Sequence, residues 1–242
     1  MNDSDFGCCD PHLHTLFSDG LGTPRQVLEA AVARGLDVIA ITDHDTVEGA
    51  QEVRELAARE NYPIEVIIGT EVTTARGVHM LALFVEDSLP VYQSAARTVE
   101  EIARRGGLAL APHPLTALTP SMGQRMIETI LARGLPLIGV ETINPSPAGR
   151  PRRRVLTLNQ KWGLAEFGGS DAHFPAHVGN AFTRFPGHTS QEFRQALLDR
   201  TTIACLHDQP PVRIPLSDYA RQSSRALIIS PMQKIRRVLA GS

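Results

Sequence analysis

With 242 residues, 42% hydrophobic and 21% charged, the chain has the composition of a folded globular protein with a sizeable core, which excludes a predominantly disordered or fibrous chain. A formal net charge of −2 and a pI near 6.5 supply no general attraction to a polyanion, so no stable nucleic-acid complex is expected. No apolar run reaches membrane-spanning length, and the acidic start lacks the basic and apolar regions of a secretory signal, so the expected location is cytoplasmic.

The chain opens on a strand containing Cys8 and Cys9, which read as small buried apolar residues; with Cys205 they make a poor disulfide framework and point to a reducing compartment. The strand runs into Asp10-Pro11-His12-Leu13-His14, with Asp19 five residues later. Residues i and i+2 of an extended strand project to one side, so both imidazoles can face one ion. Thr23-Pro24 then caps a helix that Gly35 closes. The apolar run 37–42 reads as a parallel strand covered on both faces and delivers Asp43-His44-Asp45. A helical stretch at 46–60 leads to a strand at 64–69, with Glu71 at its end.

A strand at 78–85 follows after only a turn around Arg76-Gly77, and His79 stands at its start. A helix at 91–105 precedes a strand at 107–111 that ends in Pro112-His113-Pro114. A helix at 121–133, a strand at 137–141, a basic helix at about 150–161 and a strand at 164–167 lead to Ser170-Asp171-Ala172-His173. Thr189-Ser190 caps a last barrel helix, with Glu192 as capping-box partner.

About seven β-α repeats predict a parallel sheet with helices outside, closed into a barrel whose functional groups sit at the C-terminal strand ends. His79 is the exception, because it precedes its strand. Residues 1–209 form this barrel, and 210–242 form a basic tail carrying Arg213, Arg221, Arg225, Lys234, Arg236 and Arg237 against Asp218. A short helix is expected from Ser230-Pro231, with Ile228, Met232, Ile235 and Leu239 on one side, docked on the barrel; weak contact with a membrane surface or a partner is the alternative.

Nine candidate ligands emerge: His12, His14, Asp19, His44, Glu71, His79, His113, Asp171 and His173. That is too many for one ion and suits two or three, with room for water. Imidazole and carboxylate donors fit manganese, zinc or iron without selecting among them.

The motifs His12-Leu13-His14, Ser18-Asp19-Gly20, Thr42-Asp43-His44-Asp45, Gly69-Thr70-Glu71, His79, Ala111-Pro112-His113-Pro114 and Gly169-Ser170-Asp171-Ala172-His173 together resemble those of the polymerase and histidinol phosphatase family of metal-dependent phosphoesterases, over roughly residues 8–206. The resemblance implies a distorted seven-stranded, TIM-like (β/α)7 barrel with a trinuclear metal centre at the mouth. By matching positions, it implies one ion on His12, His14, Glu71 and Asp171, a second on Glu71, His79 and His113, and a third on Asp19, His44 and His173. The implied reaction is hydrolysis of a phosphate mono- or diester of a small molecule or nucleotide by a metal-bridging hydroxide, which Glu71, Asp171 and His173 organise as ligands. Closely spaced cations suit it by lowering the pKa of a bridging water and neutralising phosphoryl oxygens.

Arg76, Arg150, Arg152 and Arg153 are candidate phosphate contacts, since guanidinium can bind phosphate bidentately, and His177 is a further candidate at the substrate. Only about 27 residues separate Val85 from His113, too few for the inserted helical domain of longer relatives, so a wider, less selective mouth is expected. Two alternatives stand beside this function. A C–N hydrolase would want a carboxylated lysine, yet Lys161 and Lys234 are the only lysines and neither is near a strand end. The other is an accessory metal-binding module for nucleic-acid ends.

Overall fold

The structure is a computed structural model that describes residues 3–146, 152–208 and 212–229. Among these, nine strands form one sheet in the order β7-β6-β5-β4-β3-β2-β1-β8-β9: β1 Phe6–Leu13, β2 Val38–Ile41, β3 Glu65–Thr73, β4 His79–Leu83, β5 Leu108–Ala111, β6 Leu137–Ile143, β7 Ala165–Gly168, β8 Ala181–Pro186 and β9 Ile203–Leu206. The helices are α1 Pro24–Ala33, α2 Glu48–Arg59, α3 Ala95–Arg104, α4 Gln124–Ala132, α5 Arg152–Trp162, α6 Ser190–Asp199 and α7 Leu216–Ser224. None is long and apolar enough to cross a membrane.

Alternation along the strands sorts the apolar residues into two layers. Val38 and Ala40 of β2 join Leu81 and Leu83 of β4, Leu108 and Leu110 of β5, and Ala165 and Phe167 of β7 inside the barrel. Ile39 and Ile41, Met80 and Ala82, and Ala109 and Ala111 face outward and pack on Val27, Leu28, Val53, Leu56, Val99, Ile102, Ile127 and Val155 of the surrounding helices. Helix α6 is different, since its Phe193, Ala196 and Leu197 join the inner layer and plug the end of the barrel remote from the strand C-termini. Its capping box between Thr189 and Glu192 is present.

Two expectations need correction. The sheet has nine strands, not seven, and it is mixed. Strand β4 runs antiparallel to both β3 and β5, because the connection through Arg76 and Gly77 is too short for the helical crossover that a parallel pair requires. The reversal explains His79: the start of β4 lies at the same mouth as the ends of its neighbours, and His79 pairs with Thr73 two residues past Glu71. Of the two unforeseen strands, β8 adds antiparallel to β1 and β9 antiparallel to β8. In the tail, the described helix is α7, ahead of the segment from Ser230 that was expected to be helical; residues 230–242 lie outside the described residues.

Strand β1 carries an irregularity that orients the site. Its register on β2 slips between Asp10 and Leu13, so three steps of β1 oppose two of β2. Pro11 sits in this bulge, where a missing N–H costs no ladder bond. Cys9 therefore faces the inner layer while Leu13 faces the outer one. His12 and His14, flanking Leu13, are turned into the barrel.

The barrel nearly closes where β7 meets β1 and β8. At the mouth, Asp171 N donates to His12 O at 3.0 Å and His14 N to Ala172 O at 3.0 Å. Lower down, Gly168 N donates to Thr183 Oγ1 at 3.0 Å, and that hydroxyl donates back to Gly168 O at 2.9 Å. A Cβ on Gly168 would stand 2.6 Å from Phe182 O. Gly168→Ala should therefore lower stability by about 1–3 kcal/mol through forced displacement of β8. Gly123→Ala, where a Cβ would meet open space, should change it by less than about 0.5 kcal/mol. Thermal or denaturant unfolding of the two variants tests this, and equal effects would contradict it.

Candidate metal centre

All nine sequence-derived candidates converge at the strand ends. Glu71, buried on the inner face of β3, is the meeting point. Its Oε1 lies 3.0 Å from His79 Nδ1 and 3.0 Å from His113 Nε2, and its Oε2 lies 3.3 Å from both His12 Nε2 and His14 Nε2 and 3.6 Å from His44 Nδ1. The two oxygens thus face different sets of imidazoles. Asp171 Oδ1 lies 3.5 Å from His12 Nε2 and 3.4 Å from His14 Nε2. Asp19 Oδ2 lies 3.2 Å from His173 Nε2 and 3.8 Å from His44 Nε2. Four groupings have ligand atoms within 4.8 Å of one another: His14, Asp19, His44 and His173; His12, His14 and Asp171; His12, Glu71 and His113; and His44, Glu71 and His79.

Outer contacts aim these rings. Glu141, buried at the end of β6, accepts from His12 Nδ1 at 3.0 Å, which leaves Nε2 facing Glu71 and Asp171. Its other oxygen accepts from His113 N at 2.5 Å and Asn144 Nδ2 at 2.9 Å. His173 Nδ1 donates to Asp171 O at 2.9 Å, again leaving Nε2 toward the cluster, and the Thr119 hydroxyl meets His113 Nδ1 at 3.3 Å. Asn144 Nδ2 and the Ser146 hydroxyl donate to Asp171 Oδ2 at 3.3 and 3.4 Å, so Oδ1 is the oxygen presented inward.

The backbone is fixed with equal care. Asp43 accepts from Thr15 N at 2.7 Å, the Thr15 hydroxyl at 2.6 Å and the Ser18 hydroxyl at 2.5 Å, which shapes the loop carrying Asp19. Asp10 accepts from Ser170 N at 3.0 Å and Gly179 N at 2.9 Å and so ties β1 to the loops after β7; burial pushes its carboxyl up to about 6 against those bonds. His113 and Asp171 have φ of 28° and 52°, a left-handed region that non-glycine residues enter at a cost and that clusters at functional sites.

Sequence reasoning missed Glu141, Asn144, Asp43 and Asp10 as site residues. Glu141 carried the same signal as Glu71, a carboxylate ending an apolar barrel strand. The candidate substrate residues lie farther out. Arg76 is exposed on the β3–β4 connection at the mouth, Arg152 and Arg153 are exposed at the start of α5, and Arg150 lies outside the described residues. His177 directs Nε2 to Val212 O at 2.9 Å, away from the cluster.

Carboxylates and imidazoles in the cluster shift one another's titration. Burial works against ionisation of Glu71, Asp19 and Asp171, yet the surrounding imidazoles hold all three carboxyls well below the usual range. Burial likewise opposes protonation of His12 and His14, but neighbouring carboxylates override it, raising His12 and pushing His14 up to about 10. Burial wins at His44, which falls to about 3. His14 Nδ1 and Nε2 and His44 Nδ1 are buried without a hydrogen bond, an arrangement that ordinarily costs about 1–3 kcal/mol per group. Nitrogen atoms so placed beside carboxylates fit divalent metal ions.

Comparison with known proteins agrees. The PHP domain model matches residues 10–105 and the PHP-associated model residues 149–202. An uncharacterized protein of Methanocaldococcus jannaschii is 35% identical over 146 residues, covering 56% of this chain and 80% of that one. The phosphoribosyl 1,2-cyclic phosphate 1,2-diphosphodiesterase of Eggerthella lenta is 42% identical over 86 residues, 34% of this chain, and the match spans about a third (32%) of that enzyme's length. In fold, a two-domain Bacteroides vulgatus protein containing a predicted PHP-like metal-dependent phosphoesterase superposes with a TM-score of 0.70 at 23% identity, covering 91% of this chain and 70% of that one. Motif order, barrel and matched models concur, and the chain belongs to the PHP domain family.

Proposed function

We propose that this protein is a metal-dependent phosphoesterase that hydrolyses a phosphate mono- or diester of a small molecule or nucleotide. The observation that carries the proposal is the division of Glu71, whose two carboxylate oxygens face separate imidazole sets at the base of the mouth. His12, His14, Glu71 and Asp171 would hold one ion, Glu71, His79 and His113 a second, and Asp19, His44 and His173 a third. Manganese, zinc and iron all suit these donors. Bound there, such ions lower the pKa of coordinated water toward neutrality and offset phosphoryl charge. The matching activity of the Eggerthella lenta enzyme, named for a phosphate diester, supports the same ester class.

The chain's own residues supply orientation. Glu141 fixes the His12 tautomer, Asp171 is held from behind by Asn144 and Ser146, and Asp43 sets the Asp19 loop. The remainder of the substrate would meet Arg76, Arg152 and Arg153 at the rim, where a guanidinium can grip a phosphate oxygen pair. The barrel to about residue 209 would carry the catalytic groups, and the basic tail would follow it from residue 210.

Purified protein with defined metal content should hydrolyse p-nitrophenyl phosphate or its bis ester. Chelation should abolish turnover, and Asp171→Asn and His173→Ala should each lower it by more than the ~10–100-fold typical of outer-sphere partners. Fully metallated protein without ester hydrolysis would favour the accessory binding module.

Glu141→Gln should weaken metal affinity or activity by about 10–100-fold while the fold is retained. Isothermal titration with Mn²⁺ against the parent chain reads this directly, and unchanged affinity would remove Glu141 from the site.

Proton competition sets a further expectation. With His14 protonated up to about pH 10 in the metal-free protein, an ion must displace its proton near neutrality. Metal affinity should therefore rise with pH across that range, with proton release visible in buffers of different ionisation enthalpy. The sign for the metal-free fold is opposite. A raised histidine pKa gives stability that is complete below the ordinary value of 6.5 and fades as pH climbs through about 10. Metal uptake without proton release would contradict the assignment.

A further inference from the structure

The tail does not leave the barrel at residue 208. Its described part returns across the mouth at the Asp19–His173 end. His177 Nε2 donates to Val212 O at 2.9 Å, and the Tyr219 ring packs edge-on against Phe174, directly after His173, with centroids 5.1 Å apart. One turn on, Gln222 Nε2 donates to Asp19 Oδ2 at 3.4 Å, the same oxygen that faces His173 and His44. Helix α7 then widens into a π-turn at Arg225–Ile229. Arg225 Nη2 donates to Ser18 O at 3.2 Å and to Leu16 O, clasping the loop that bears Asp19, while its buried Nε has no partner.

This placement puts a helix beside the mouth on the Asp19 side. Although α7 is largely exposed on its outer face, with Leu216 at 86%, its inner edge of Gln222 and Arg225 is half-buried against the cluster. Loss of these five weak anchors would free the segment, because none of residues 212–227 is fully buried. Its position is therefore set by the polar clasp and one aromatic contact.

We propose that residues 212–229 form a wall of the substrate mouth, fastened by Arg225 and Tyr219, which restricts the site to small esters and chain-terminal phosphates. The inference rests on the phosphoesterase reading above. Its physical basis is geometric. An internal diester of a polymer carries chain on both sides of its phosphorus, so it needs a mouth open on two sides, and α7 occupies the side beyond Asp19. A small ester or a chain end needs only one. Gln222 and Arg225 act here as specificity-determining and positioning residues.

The test compares the full-length parent, Arg225→Ala and Tyr219→Ala, each metallated with Mn²⁺, on p-nitrophenyl phosphate, on a linear oligodeoxynucleotide and on the same sequence closed into a circle. Hydrogen exchange of backbone amides 216–229 is followed on the metal-free proteins as a readout independent of turnover. The parent should turn over the monoester and leave the circle intact. Both variants should exchange faster over 216–229, and their kcat/KM for the circle relative to the monoester should rise by about 10-fold or more. For Tyr219→Ala, which touches no candidate ligand, the quantity read is the ratio of kcat/KM for the circle to that for p-nitrophenyl phosphate, which a general loss of activity would not raise. Rapid cleavage of the circle by the parent would overturn the wall. Unchanged exchange in both variants would overturn the clasp, and faster exchange without a change in selectivity would overturn the specificity role. A parent that hydrolyses none of the three esters would instead sink the phosphoesterase reading itself.

Discussion

The constraint on which the structure depends is electrostatic: three carboxylates and six imidazoles are gathered at one end of a barrel and mostly withdrawn from water. Isolated charges in such a place would be expensive to bury. The arrangement is sustained because each group faces one of opposite tendency, and Glu71 alone lies within 3.6 Å of five imidazoles. The barrel below supplies what the charges cannot, an apolar floor of Ile67, Leu81, Leu110 and Phe167 closed from beneath by Phe193 of α6. That floor keeps water out from behind and leaves the mouth as the only open side of the described cluster.

Much of this was legible in the sequence because ligand-bearing loops follow short apolar strands, and a strand's end is easier to read than its partners. The pairs His12/His14 and Asp171/His173 and the singletons His44 and His113 were found that way. His79 looked anomalous only while its strand was assumed parallel. The turn at Arg76 and Gly77 already carried the information that β4 reverses, since no crossover fits between Thr73 and His79. What could not be read was which polar residues support the ligands. Glu141 and Asp43 are single carboxylates at strand ends, and their roles appear only when distant segments meet: His12 lies 129 residues from Glu141.

The additions beside β1 were hidden for another reason. Strand β8 alternates buried and half-buried residues, Ala181 to Pro186, as an antiparallel strand should, but it follows a ligand loop rather than a helix, so a β-α rhythm passes over it. Helix α7 was equally obscure. Its sequence is polar, its amphipathicity is slight in burial terms, and its anchors are contacts to backbone oxygens of Leu16 and Ser18 that leave no mark on composition.

The slip in β1 has a consequence of its own. Below Pro11 the strand keeps step with the packing of the barrel interior, and above it the strand keeps step with the imidazoles. One strand thus runs on two clocks set a single residue apart. Side chains such as Cys9 can vary with the size of the interior without turning the histidines, whereas adding or removing one residue between Cys9 and His12 would swing both rings to the outside of the barrel. Length here is held more tightly than identity.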